Sequence, residues 1–531
     1  MHLRASHHYP SRRSAVLADN MVSTSQPLAA QAGLSMITRG GNAADAAIAT
    51  AIALTVVEPT GNGVGSDAFA ILWDGKQLHG LNASGRAPKA WSLERFAAHD
   101  EMPMHGWNSI TVPGAVSAWV EISRKFGSLP FEMLFEPAIG YAERGFPVSP
   151  KIAQLWARGG NILAGQPGFA EVFLQNGKAP LPGERFANPA LAQSLHLIAE
   201  TKGKAFYEGE IADALIAHSN AHGGAMTSQD LADQCADWCG TISQKFGDAI
   251  LHEIPPNGQG IAALMGLGIL RHTNVCDLEA DDPLAMHLQI EAMKLALADT
   301  EKFVGDIKHM TTVSPEDMLE DGYLAERARL IDPTRAQDFG AGAPKHGGTV
   351  YLSTADSSGM MVSYIQSNYA GFGSGVAVPA TGIHLQNRGW GFSLDPKSAN
   401  VVGSGKRPFH TIIPGFLMGK TEPLMSLGVM GGPMQAQGHL QMVLRTQLWK
   451  QDPQMAVDAP RWRIIEGLGL ACETTLPLQT LENLSNLGHS LVMEEPDTAF
   501  GFGGAQLIHR LTDGGYAGGS DPRKDGATVG L

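Results

Sequence analysis

Cysteine is scarce in this chain. Its 531 residues hold four, Cys235, Cys239, Cys276 and Cys472, too few and too scattered to staple a fold of this size, so a disulfide framework is excluded. The Cys235-x3-Cys239 spacing has no second Cys or His pair at zinc-finger distance, and no metal is expected. Basic residues are in the minority: 38 Lys and Arg against 52 Asp and Glu leave a formal charge of −14, with no basic run longer than Arg12-Arg13. A nucleic-acid-binding face, which needs concentrated cations, is excluded. Long apolar runs are missing as well. The most apolar early segment, residues 43–57, contains Asp45 and is too short to span a bilayer. The first twenty residues have no apolar stretch behind their basic residues, so no secretory signal is expected. A cytoplasmic location without membrane partners follows.

The common catalytic signatures are also lacking. GFLMGKT at 415–421 has three residues between its glycines where a phosphate-binding loop needs four. GFGSG and GNGVG lack dinucleotide-fingerprint spacing, and neither G-x-S-x-G nor H-E-x-x-H occurs. What is there is an ordinary globular composition, 44% apolar and 17% charged, with an α/β texture. Residues 40–57 predict a helix, and the segment after them predicts a hairpin turning at Asp74-Gly75. A helix is expected from Pro113-Gly114 to about Lys125, and a long amphipathic one from Ala285 to Phe303. After residue 348 the pattern changes to short strands (TVYLSTA, MMVSYIQS, GFLMG, MSLGVM) between Gly-rich turns, then helices near 434–450 and 477–487.

One stretch stands out, HGGTVYLSTADSSG at 346–359. An N-terminal threonine is a self-contained catalytic unit, because its hydroxyl attacks while its own α-amine takes the proton. Thr349 acquires such an amine only if the chain breaks its Gly348–Thr349 bond. Glycines at 347 and 348 suit a strained, accessible scissile peptide. By itself the stretch reads first as a Gly-Gly turn followed by a strand. His346 is a candidate helper in such a cleavage or an exposed loop histidine.

The wider chain decides between these. GGNAADAAIATAIALTVVEPTGNGVG, PPNGQG at 255–260, EAMKLALADTEKFVGD at 291–306, the Thr349 region through FGSGVAVPATGI, KRP at 406–408, VMGG at 429–432, DAPRW at 458–462 and SDPRKDG at 520–526 resemble, in order, the γ-glutamyltranspeptidase family of N-terminal-nucleophile hydrolases. The resemblance implies an α+β fold, a four-layer αββα sandwich. It implies a precursor cut into an N-terminal subunit, 1–348, and a catalytic C-terminal subunit, 349–531, that stay together in one structural domain, with a dimer of such pairs expected. Thr349 matches the nucleophile and base, Gly431 and Gly432 match the oxyanion-hole glycines, and Ser367 stands where the family has a second threonine that bonds the nucleophile. No cofactor is implied.

The departures bear on substrate. Where transpeptidases carry an arginine for the substrate α-carboxylate, this chain has Ser84, with Arg86 two residues on. The Gln and Asp that hold an α-ammonium become Arg388 and Gly391, a Ser-Ser pair becomes His410-Thr411, and an Asn becomes Tyr369. Losing an acid and gaining an arginine repels an ammonium, so a γ-glutamyl substrate is disfavoured. Arg86, Arg388 and His410 are candidate donors to a small anionic acyl group, with Tyr369 and Thr411 as further candidate binding residues. Tyr369 and Trp390 would narrow the cavity. Within the family the chain resembles the oxamate amidohydrolases, which implies hydrolysis of oxamate to oxalate and ammonia in purine degradation. Three other readings are carried: a γ-glutamyl hydrolase or transferase, an acylase for larger dicarboxylic monoamides such as a glutaryl side chain, and an uncleaved ligand-binding relative.

Overall fold

The computed structural model describes residues 13–340, 348–496, 498 and 501–531. Its frame begins with the helix Ala43–Val57, which opens on a capping box. The Asn42 side chain accepts from the Ala44 and Asp45 amides while Asp45 accepts from the Asn42 amide. Every residue of this helix is buried, as a segment with no polar face requires. Asp45 is tolerated there because the Ser128 and Leu129 amides also donate to it.

Among the described residues fourteen strands form two seven-stranded sheets in which every neighbouring pair is antiparallel. One runs Ala527–Gly530, Met21–Thr24, Gly348–Ala355, Met361–Tyr369, Asp67–Trp73, Leu78–Ala83, Asp237–Trp238. The other runs Val16–Ala18, Tyr516–Ser520, Gly504–Arg510, Pro423–Met430, Gly415–Met418, Ala249–Glu253, Ile242–Phe246. Strands from beyond residue 348 lie in the middle of each sheet and strands from before it pair alongside. Backbone hydrogen bonds therefore join the two halves of the chain throughout.

An apolar layer that includes Phe69, Ile71, Tyr351, Ile365, Phe416 and Ile508 fills the space between the sheets. Gly428 is required in this layer, since a Cβ there would meet the Tyr351 ring at 2.3 Å. The other face of the first sheet packs on helices that include Ala43–Val57 and Ala115–Phe126, and that of the second on Gly260–Leu270, Pro283–Phe303 and Met434–Val443.

The predicted helices and strands are found, with one difference in kind. The helix Pro283–Phe303 is not amphipathic in place: residues 285–297 are buried on every side. It lies against Gly260–Leu270 and Leu478–Asn486, and its buried charges are paired, Lys294 donating to Glu291 at 2.8 Å and Asp299 accepting from Arg327 at 2.6 Å. All four cysteines are free. Among the described residues no helix is long and apolar enough to cross a membrane.

Candidate active site

Thr349 is fully buried in the middle of the first sheet, beside a β-bulge. Gly348 pairs with Tyr369 and Val350 with Gln366, so three residues oppose four. The extra residue is accommodated by Tyr369 in the left-handed region, at φ 78°. This irregularity brings the Thr349 and Ser367 hydroxyl oxygens to 3.0 Å. Ser367 is a hub. Its hydroxyl donates to the Gly348 carbonyl at 2.7 Å, and its oxygen accepts from the Tyr369 amide at 2.8 Å and from Arg388 Nη2 at 2.8 Å.

Arg388 is wholly buried, and its Nη1 donates to Thr411 Oγ1 at 2.8 Å. The guanidinium sits 4.3 Å from the centre of the Tyr369 ring, which in turn leans on Trp390 at 5.2 Å. Desolvation pushes Arg388 down to about 10, opposed by Tyr369 and Asp67, so it stays cationic at neutral pH. No carboxylate among the described residues forms an ion pair with it, and its Nε has no partner. Both terminal nitrogens are committed to hydroxyls, so the free two-pronged clamp anticipated for a carboxylate is not on offer in the uncut chain.

His410 is likewise committed. Its Nε2 lies 3.1 Å from Asp67 Oδ2, and its ring meets Phe69 edge-on. Burial, with Arg388 and Arg407 nearby, drives its pKa far below the ordinary histidine value, so the ring is neutral. Asp67 also accepts from the Gly85 and Gly114 amides, and burial pushes its carboxyl up to about 7. Unfolding returns that pKa to the usual carboxylate value. Between roughly pH 4 and 7 the unfolded chain sheds a proton that the folded chain keeps, so stability falls with rising pH across that window. Asp67→Asn retains an acceptor for the two amides and removes this slope. Thermal midpoints of the two proteins should diverge in favour of the variant from pH 5 to pH 8.

At the end of the strand Pro423–Met430, Gly431 and Gly432 take φ of 137° and 60°, which only glycine adopts readily. Neither N–H donates to an acceptor among the described residues. The turn is held by Gln259, whose amide donates to the carbonyls of both Thr411 and Gly432. Gln259 was visible in PPNGQG only as part of a motif, because a side chain bridging two distant carbonyls leaves no mark in local sequence.

A cavity of about 500 Å³ adjoins this cluster. Tyr369, Thr411, Gln259, Gly391 and Pro433 form its inner wall, Leu297, Val304, Phe392 and Phe409 its apolar sides, and Glu301, Lys302, Asp395 and Lys397 its charged lining. Among the described residues no hydrogen bond or ion pair joins Arg86 to the cluster. It is half-buried, donates to the Gly405 carbonyl and faces Asp306 and Asp237 at 3.6 and 3.7 Å. Ser84 is buried and bonded to Asn82 and Asn257. His346 and Gly347 lie outside the described residues.

Elsewhere, His287, Glu291 and His489 bring ligand-type atoms within 4.8 Å of one another. Their charge is balanced from within: Lys294 neutralises Glu291, and the two imidazoles bond at 2.9 Å with His489 held neutral by burial. A divalent ion there would add buried positive charge beside Lys294.

A family model described as Gamma-glutamyltranspeptidase matches residues 29–531. The glutathione hydrolase-like YwrD proenzyme of Bacillus subtilis (strain 168) is 34% identical, over 98% of this chain and 100% of its own. The oxamate amidohydrolase proenzyme of Klebsiella pneumoniae is 36% identical, over 95% of this chain and 97% of its own. Among solved structures, a cephalosporin acylase from Bacillus halodurans superposes with a TM-score of 0.95 and 45% identity, covering 100% of this chain and 99% of that one.

Proposed function

Because the chain belongs to the gamma-glutamyltranspeptidase family, we propose that it cuts itself between Gly348 and Thr349 and then hydrolyses an anionic amide through Thr349, with oxamate as the first substrate to test. The observation that carries the substrate class is Arg388, a buried cation two hydrogen bonds from the Thr349 hydroxyl. A positive charge there favours an acyl group bearing a carboxylate and opposes the α-ammonium of a γ-glutamyl group. The two sheets with their helical covers are read as the four-layer αββα sandwich of N-terminal-nucleophile hydrolases. Residues 1–348 and 349–531 become its two subunits, in a cytoplasmic dimer of such pairs.

In the proposed reaction the Thr349 α-amine takes the hydroxyl proton as Oγ1 attacks the amide carbon, and returns it to the departing amine. The unclaimed N–H groups of Gly431 and Gly432 receive the oxyanion, and water releases the acid from the ester. Once cleavage has removed the Gly348 carbonyl, the Ser367 hydroxyl, 3.0 Å from Thr349 Oγ1, is free to donate to the nucleophile.

A second reading has its own support. A cavity of about 500 Å³ beside Tyr369 and Thr411 exceeds what oxamate needs, and favours a larger dicarboxylic monoamide of the glutaryl type.

The test is intact mass of the purified protein followed by assay. Two chains meeting at 348/349 together with ammonia from oxamate support the first reading. Two chains with amine release only from glutaryl amides support the second. Release from γ-glutamyl amides overturns the anionic-acyl assignment, and a chain that stays whole supports a non-enzymatic binder. Gly348→Ala should slow cleavage about tenfold or more, because a Cβ there would stand 2.9 Å from the Thr60 carbonyl and displace the scissile bond. The time course of the two chains by mass measures it.

A further inference from the structure

Resting on the reading that the chain cuts itself at Gly348–Thr349, we propose that Arg388 is a positioning residue for that cleavage. By donating to Ser367 it turns the serine proton onto the carbonyl oxygen that must carry negative charge.

A serine hydroxyl has one proton to give and two acceptor sites. Ser367 Oγ accepts from Arg388 Nη2 and from the Tyr369 amide, each at 2.8 Å, so both sites are filled. Its single proton is then free only for an acceptor, and the Gly348 carbonyl lies 2.7 Å away. With its acceptor sites taken, Ser367 does not capture the proton of the Thr349 hydroxyl 3.0 Å away. That hydroxyl stays available to attack.

Arg388 is prepared for this task before any substrate arrives. Thr411 holds its Nη1, the Tyr369 ring covers its face, and it has no carboxylate in ion-pair contact among the described residues. A buried guanidinium without an ion pair is expensive for the fold. Its positive field acts on the Ser367 and Gly348 oxygens as well as on Asp67, with which it forms no ion pair.

In the cleavage step Thr349 Oγ1 bonds to the Gly348 carbonyl carbon and the Gly348–Thr349 C–N bond breaks. The hydroxyl proton passes to the departing nitrogen, which becomes the Thr349 α-amine. Water then adds to the ester, yielding the Gly348 carboxylate and restoring the Thr349 hydroxyl. During the first addition the Gly348 oxygen becomes an oxyanion, and the Arg388-polarised Ser367 hydroxyl is its donor. A donor bonded to a cation is stronger than a neutral one.

The experiment follows conversion of the 531-residue chain into two by intact mass after rapid cell-free synthesis. Arg388→Gln should cleave at least about tenfold more slowly than wild type, and Arg388→Lys should fall between them. Arg388→Ala should be rescued by millimolar guanidinium chloride and not by sodium chloride, a response that a merely misfolded chain does not give. Thr411→Val, which frees one end of Arg388 without removing it, should also slow cleavage and covers the case in which the arginine variants fail to fold. The proposal is overturned if folded Arg388→Gln cleaves at the wild-type rate. It is also overturned if guanidinium fails to rescue the alanine variant and lysine is no better than glutamine, or if only Thr411→Val can be tested and it cleaves normally. A wild type that never cleaves sinks the parent reading and this one together, whereas normal cleavage by folded arginine variants sinks this one alone.

Discussion

A Thr349→Ala chain is expected to remain a single intact polypeptide and to hydrolyse no amide above background. The substitution removes the hydroxyl that follows the Gly348 carbonyl and lies 3.0 Å from Ser367 Oγ, so the bond that would free the α-amine is not broken. Losing a nucleophile of this kind lowers kcat by about six orders of magnitude. Intact mass reads the first effect, and amine release under substrate excess reads the second. Under the proposed mechanism the amine freed in the wild type, with a reference pKa of about 7.7–8.0, acts as base only when unprotonated. Turnover should therefore rise as pH passes upward through that range.

The second large effect separates maturation from turnover. Gly431→Ala places a side chain at φ 137° with its Cβ 3.0 Å from the Gly503 backbone, so the turn must open and its N–H groups swing away. Removing an oxyanion donor lowers kcat by about 10²–10³. The Gly348 carbonyl takes its donor from Ser367 instead, so this variant should still split into two chains while losing turnover. Intact mass and an activity assay on one preparation test both halves, and failure to split would mean that one oxyanion site serves both reactions.

The candidate site was legible in parts. Thr349 could be singled out because a threonine behind two glycines is a compact local trace, and because the segments that resemble the family follow in its order along the chain. The helices and strands were legible for the usual reason, that apolar periodicity and turn residues act over a few positions. Burial of the helix Pro283–Phe303 was not, since Lys294 and Glu291 look like a solvent face until each is seen to neutralise the other. Arg86 and Arg388 illustrate the same limit. Both are arginines that the sequence offered as donors to an anionic acyl group, yet one faces Asp237 and Asp306 at a half-exposed surface and the other is sealed beneath Tyr369. Only the path of the chain distinguishes them. His410 carried a similar ambiguity, resolved by its pairing with Asp67, 343 residues away in sequence.

The sequence by itself therefore determined the family, the order of elements and the residue types available for chemistry, because these depend on local pattern and on motifs read in series. Tertiary structure alone decided which of those residues meet. The bulge that turns Ser367 toward Thr349, the lone-pair count on Ser367, the burial of Arg388 without an ion pair among the described residues and the reach of Gln259 to two carbonyls all arise from strands and loops distant along the chain. Hydrogen bonding and desolvation act through space, so no reading along the chain could have supplied them.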